Sequence, residues 1–222
     1  AVIGGGIFVL TGTAAAGESV AVPSIVKAPV LDLLLRVHRE DFVPAEHRVL
    51  AFADMEIPIG HGAVMLSPKL EARMLQDVAV QAGDSILEIG TGTGHMTALL
   101  ASLGRHVYSV DIVPEFARGA ATLLAARGIT NVTLETGDAA RGWDKHGPYD
   151  VIVLTGSVPV LSDAFAAALN PGGRLMAVVG VAPAMHMRLI TCAHAGAFNT
   201  VTLFETCIPS LKNAPQPQRF VF

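Results

Sequence analysis

The chain has little that would hold it together, or do chemistry, other than ordinary burial. Its 222 residues include two cysteines, Cys192 and Cys207, and neither belongs to a Cys-x-x-Cys pair. That count excludes a disulfide framework and a thiol redox couple, and leaves one bridge between the two as an open alternative. It fits a reducing, cytoplasmic compartment in which both thiols serve as small buried hydrophobes. Eight histidines show neither His-Glu-x-x-His nor Cys/His ligand spacing, so no metal site is expected. Charge is also sparse. Fifteen scattered Lys and Arg against nineteen Asp and Glu provide no basic field, so nucleic acid is not expected as a partner. Residues 1–17 are uncharged and glycine-rich, too short for a membrane span and without the basic segment that opens an export signal, so membrane contact is not expected either. Nothing in the sequence bears on oligomeric state. What remains is apolar: 51% hydrophobic residues are enough for one well-buried α/β domain with a small appendage.

The most informative run is Ile86-Leu87-Glu88-Ile89-Gly90-Thr91-Gly92-Thr93-Gly94-His95. It reads as a buried strand that breaks into a glycine-rich turn opening a helix. Glycines at 90 and 92 let the backbone turn sharply and approach a ligand, and the helix N-terminus adds partial positive charge. A dinucleotide fingerprint, G-x-G-x-x-G, would need glycine at position 95, which is histidine. G-x-G-x-G with Glu88 inside the strand instead resembles the first motif of class I S-adenosylmethionine (SAM) methyltransferases; a dinucleotide stays the alternative. Residues 106–112 read as a second strand ending in Asp111 and Ile112, about 20 residues beyond the first glycine, where an acid accepts the hydroxyls of an adenosine ribose. Residues 132–136 read as a third strand running into Gly137-Asp138-Ala139. In SAM enzymes an acid here faces the adenine amino group; the alternative is an ordinary turn aspartate. The cofactor set expected from these motifs is Glu88, Gly90, Thr91, Gly92, Gly94, Asp111, Ile112, Asp138 and Ala139. Glu88 is expected at the cofactor's amino-acid end, because a buried carboxylate without a cation is costly.

From residue 67 onward strands and helices alternate. The spacing predicts helices over 68–79, 95–103, 114–127 and 162–169, and strands over 85–89, 106–112, 132–136, 149–154 and 174–179. Segments 187–193 and 200–208 read as a final antiparallel pair, followed by the tail Arg219-Phe220-Val221-Phe222. The fold expected is a doubly wound, mostly parallel α/β sheet of the Rossmann-like class I methyltransferase kind. Three regions are expected: an atypical apolar extension of unknown role (1–29), a substrate-side subdomain (30–80) and a SAM-binding domain (81–222).

From about residue 30 to its end the chain resembles the protein-L-isoaspartate O-methyltransferases, which methyl-esterify isoaspartyl products of Asn and Asp ageing. The resemblance rests on Arg39-Glu40-Asp41-Phe42-Val43-Pro44, on Ala53-Asp54 with Ile57-Pro58-Ile59-Gly60-His61-Gly62, and on Glu71-Ala72-Arg73-Met74. It continues through the glycine loop, Gly137-Asp138 with Gly142-Trp143, and Pro171-Gly172-Gly173-Arg174-Leu175. It implies SAM as methyl donor, S-adenosylhomocysteine as product, and isoaspartyl peptides or proteins as acceptors. One departure is sharp. Where the family has Gln-Thr-Ile-Ser over the substrate carboxylate, counting from Gly60 to Pro68 gives Ala63, Val64, Met65 and Leu66. The serine position is Leu66, and Ser67 lies one residue later, where a helix starting at Pro68 would make it an N-cap.

The departure does not abolish the chemistry. A carboxyl group with pKa near about 4 is already ionised at neutral pH, so in-line displacement at a sulfonium needs no general base. The protein must bring oxygen and methyl to about 3 to 3.5 Å and exclude water. Loss of one positioning hydroxyl costs on the order of 1 to 3 kcal/mol. Candidate acceptor-side residues are Ser67, Thr155 and His61, with Ser157 beside them; tight-turn, cap and surface roles are the alternatives for each. Trp143 is expected to pack behind the adenine pocket. The function expected is carboxyl O-methylation of the isoaspartyl type. The alternatives are the same fold acting on a different peptide or small-molecule acceptor because of Leu66, and a SAM-binding module without catalysis.

Overall fold

The computed structural model describes residues 28–217; the expected apolar stretch 1–17 and the tail from Arg219 lie outside them. Helix α1 (Ala28–Arg36) and two short 3-10 turns (Arg39–Asp41, Ala45–Leu50) precede a small hairpin, β1 (Ile57–Gly60) and β2 (Ala63–Met65). None of these was apparent in the sequence. The hairpin turns through Gly60, His61 and Gly62, all with positive φ, which is why two of the three are glycine. Helix α2 (Pro68–Val78) then leads into the main sheet: β3 (Ser85–Ile89), α3 (His95–Leu103), β4 (His106–Asp111), α4 (Pro114–Ala125), β5 (Val132–Thr136), β6 (Tyr149–Leu154), α5 (Asp163–Ala167), β7 (Leu169–Val181), β8 (Ala184–His194) and β9 (Ala197–Glu205).

The seven strands stand in the order β5-β4-β3-β6-β7-β8-β9. Pairing is parallel from β5 through β7 and antiparallel from β7 to β9. Strand order reverses between β3 and β6, so the carboxyl ends of these two strands open a crevice, the place where ligands of open α/β sheets bind. The apolar runs divide by strand alternation. Ile86, Val151, Val153, Met176 and Val178 join one core cluster, and Leu87, Ile89, Ile152, Leu154, Leu175 and Ala177 join the other. Both faces are covered, so the strands are almost continuously hydrophobic.

Two expectations are corrected. The final parallel strand begins at Leu169, not 174, and α5 is correspondingly short. The register slips between Tyr149↔Leu169 and Val151↔Arg174, and Asn170-Pro171-Gly172-Gly173 is taken up in that irregularity, anchored by Asn170 to Asp150 at 2.8 Å. Cys192 is buried, but Cys207 is exposed beyond the end of β9; both thiols are free. Among the described residues no helix is long and apolar enough to cross a membrane.

Segment 33–66 shares the first core cluster with the sheet through Leu33, Phe42, Val43, Ile57, Met65 and Leu66. A buried charged group fastens it. The Arg39 guanidinium is 4% exposed, donates from Nε to the Ala51 carbonyl (2.8 Å) and from Nη2 to the Leu66 carbonyl (2.6 Å), and pairs through Nη1 with Glu71 on α2. Removing one member of a buried pair leaves the other without a counter-charge. Arg39→Met is therefore expected to destabilise the fold by about 3 to 5 kcal/mol, read as a lower urea midpoint, with Arg39→Met/Glu71→Met recovering part of the loss.

Candidate functional site

Strand β3 ends in a loop whose shape is fixed by its neighbours. The Gly90 N–H donates to Val110 and the Thr155 N–H to Ile89 (2.8 and 3.0 Å), which ties the loop to both flanking strands. Gly90 has φ of 101°, and a Cβ there would run into the Thr155 hydroxyl. Gly94, at the N-cap of α3 with φ of 88°, faces Ala120 of α4, which a Cβ would approach to 3.0 Å. Gly94 therefore serves close packing and does not line the cleft. The Gly92 N–H donates to Asp111 Oδ2 (2.9 Å), and the Val113 N–H donates to Oδ1 (2.9 Å). Each oxygen keeps acceptor capacity for a ligand.

The main cleft is lined along its floor by Ile89, Gly90, Gly92, Asp111, Ile112, Gly137, Asp138, Ala139 and Thr155. One wall is the hairpin, through Ile59, Gly62, Ala63 and Val64, joined by Phe116 from α4. The opposite wall is the segment 209–212. Asp138 is held by the Ala140 N–H at Oδ1 (3.1 Å) and by the Asn213 side-chain amide at Oδ2 (2.9 Å). A smaller recess shares Ile59, Val64, Gly90, Gly92 and Thr155 with the cleft, and is further lined by Met65, Leu66, Glu71, Thr91, Thr93, His95 and Met96.

Glu88 corrects a sequence expectation. Strand alternation places it on the Ile86 face, below the loop and fully buried, and it lines neither the cleft nor the recess. Thr97 and Ser109 hydroxyls donate to its Oε2 at 2.5 and 2.6 Å, while Oε1 has no partner among the described residues. Burial, partly offset by these two hydrogen bonds, raises its pKa to about 8. The carboxyl escapes the cost of a buried charge by staying protonated, not by meeting a cation. Thr91 joins this network, its hydroxyl 2.6 Å from that of Ser109, and reaches the recess but not the main cleft.

The three acceptor-side candidates separate. Thr155 lines both cavities, but its hydroxyl lies 2.9 Å from the Ile89 carbonyl and 2.7 Å from that of Gly90, so its one proton is already engaged. Ser67 stands at the N-cap of α2 without a side-chain cap bond and lines neither cavity. His61 is exposed at the hairpin tip, edge-on to Phe116 at 5.4 Å between ring centroids, and contributes no cleft surface. Ser157 is buried and turned away, its hydroxyl donating to Ile208 (2.9 Å). Trp143 packs against Gly137, behind the floor, and donates to Glu135 (2.9 Å).

Several lining residues escaped the sequence reading. Phe116 and segment 209–212 carry no motif, and tertiary contacts alone bring them to the cleft. In the recess, His95 is 1% exposed; its Nδ1 lies 3.0 Å from Glu71 Oε2 and 3.4 Å from Arg39 Nη1. Burial alone would raise the Glu71 carboxyl, but Arg39 and then His95 outweigh it and hold it below the ordinary range. Among the described residues no group of three or more His, Cys, Asp or Glu side chains could hold a metal.

The sequence profile of the protein-L-isoaspartate(D-aspartate) O-methyltransferase family matches residues 21–207. The protein-L-isoaspartate O-methyltransferase of Myxococcus xanthus is 42% identical over 153 residues, covering 69% of this chain and 72% of that protein. That of Gloeobacter violaceus is 34% identical over 188 residues, covering 84% and 92%. Among solved structures, a Plasmodium falciparum protein-L-isoaspartate O-methyltransferase in complex with S-adenosyl-L-homocysteine superposes with a TM-score of 0.73 at 18% identity, covering 84% of this chain and 91% of that one. At that identity the likeness speaks for the fold.

The raised pKa of Glu88 makes a signed prediction. The folded state holds a proton that the unfolded chain releases near 4.5, so this contribution is fully present below 4.5 and is lost as pH rises through about 8. Urea denaturation of wild type and Glu88→Gln between pH 4.5 and 8.5 is expected to show the variant gaining stability relative to wild type as pH rises. A pH-independent difference would place the titration elsewhere.

Proposed function

The chain belongs to the protein-L-isoaspartate(D-aspartate) O-methyltransferase family, and from that premise we propose that it transfers a methyl group from SAM to the carboxylate of an isoaspartyl residue in peptides or proteins. The observation that carries this reading is the pairing of Asp111 and Asp138 across one cleft, beside a glycine loop that admits no side chain at Gly90.

The residues present fit the donor. Asp111 has acceptor capacity for a ribose diol, and Asp138, steadied by Ala140 and Asn213, offers a carboxylate to an adenine amino group. Gly90, Gly92, Ile112 and Ala139 let the ligand approach the backbone. The bound donor supplies an electrophilic methyl on a sulfonium. The protein holds the acceptor oxygen in line with it and keeps water out, and no side chain needs to move a proton. Ile59, Val64, Phe116 and Leu211 provide apolar walls for that exclusion. Gly94 and Glu88 act from behind, one by packing and one by supporting the loop. We place residues 30–80 on the acceptor side and the reaction in the cytoplasm, with damaged peptides or proteins as partners, in keeping with repair.

Leu66 keeps a second reading alive, that of a more apolar acceptor. It lines the recess at 4% exposure, where a hydroxyl would otherwise face the acceptor. The deciding experiment is methyl transfer from labelled SAM to an isoaspartyl peptide, with the matching aspartyl peptide as control. Selective labelling of the isoaspartyl form is expected; SAM binding with neither peptide labelled would shift the assignment to another acceptor. Leu66→Ser is expected to raise isoaspartyl turnover by about tenfold, one hydrogen bond's worth. It should also lower stability by roughly 2 to 4 kcal/mol through loss of a buried side chain.

A further inference from the structure

Segment 208–213 is fastened at nearly every residue. Ser157 donates its N–H to the Pro209 carbonyl (2.9 Å) and its hydroxyl to Ile208 (2.9 Å), and its carbonyl accepts from the Leu211 N–H (2.8 Å). Asn213 closes the other end on Asp138 (2.9 Å). Leu211 fills the space over Gly156, where a Cβ would come within 2.7 Å of its Cδ2, and reaches toward Gly90. Lys212 is thus carried between two anchors, one beside the glycine loop and one beside the floor acid.

Lys212 is exposed, lines the cleft, and has no hydrogen-bond or ion-pair partner among the described residues. The other ionisable groups lining the cleft are Asp111 and Asp138, both acids. Arg39, which reaches the recess lining through the Leu66 carbonyl, is buried, and all its nitrogens are engaged. The recess combines apolar Ile59, Val64, Met65 and Leu66 with Thr91, Thr93, Thr155, and Glu71 and His95, which are already paired with each other. A carboxylate drawn out of water against largely apolar walls, with two acids nearby, loses solvation that a counter-charge restores best.

We propose that Lys212 determines acceptor specificity: its ammonium is the counter-charge that receives the acceptor carboxylate. This rests on the isoaspartyl reading and gives it a residue that no motif marked. A compact, hydrated ammonium on a flexible stem suits the task, since it can follow carboxylates presented by different peptide backbones from a fixed point on the wall. It also supplies the attraction that the apolar Leu66 does not.

The test compares an isoaspartyl peptide with its neutral counterpart, the same peptide with the acceptor carboxylate replaced by a carboxamide, binding to protein saturated with S-adenosylhomocysteine. Wild type is expected to favour the carboxylate peptide by about tenfold at low salt, the size of one charge-assisted hydrogen bond, with the preference shrinking in 0.5 M NaCl. Lys212→Gln should reduce the preference to less than twofold and raise KM for the isoaspartyl peptide with little change in kcat. Lys212→Arg should retain most of it. A role in folding alone would weaken both peptides equally. A preference unchanged in Lys212→Gln overturns the proposal. So does a loss confined to S-adenosylhomocysteine affinity, which would assign the ammonium to the cofactor's own carboxylate. If wild type methylates the isoaspartyl peptide while Lys212→Gln keeps its preference, the function stands and Lys212 drops out; if wild type methylates neither peptide, the functional reading itself fails.

Discussion

The Arg39 guanidinium reaches pieces of chain that lie far apart in sequence: the Ala51 carbonyl after the second 3-10 turn, the Leu66 carbonyl at the end of the hairpin, Glu71 on α2, and His95 at the start of α3. Those contacts make one body of the N-terminal segment and the glycine loop. The loop alone would be an open shelf at the carboxyl ends of the central strands. With the hairpin held above it, the shelf becomes a cleft with a wall of Ile59, Ala63 and Val64. A buried ion pair contributes little net stability but is costly to break, so its value here is the fixed placement of that wall.

Below the loop, a second polar arrangement works without net charge. Glu88, Ser109, Thr97 and Thr91 form a chain of hydroxyls on a carboxyl that stays protonated up to about pH 8. It lies between β3, β4 and α3, and so joins the strand that ends in Gly90 to the strand that ends in Asp111. Above it, Gly90 against Thr155 and Gly94 against Ala120 leave no space for side chains. The cleft floor is therefore closely packed from below, while its two walls are borrowed from distant parts of the chain. One wall is apolar. The other carries the cleft's unpaired ammonium, and this asymmetry is what an anionic acceptor would meet.

The strands over 85–89, 132–136 and 149–154 and the helix over 95–103 were legible to the residue, because β-branched runs bounded by glycine and proline leave few alternatives. Their order implied the sheet, and the sheet implied a crevice at the ends of β3 and β6. Asp111 was picked out by its distance beyond the first glycine, and Asp138 by its place at the end of the third strand. Glu88 does not stand where it was expected, since the same strand alternation that identifies β3 also turns this side chain away from the cleft. Ser67 and Ser157 had the right chemistry nearby in sequence, but one stands at a helix start outside both cavities and the other faces a carbonyl of the C-terminal segment.

Local spacing and side-chain alternation, imposed by short-range sterics, were enough to specify the sheet, the glycine loop and the acids at the strand ends. Which polar groups face the cleft, and which are already engaged, depends instead on long-range packing. Tertiary contacts brought Arg39 to Glu71 and His95, set the hairpin over the loop, and laid segment 209–213 along the cleft with Asn213 on Asp138. These contacts join residues tens of positions apart, and their geometry is fixed by packing and by hydrogen bonds that no local pattern encodes.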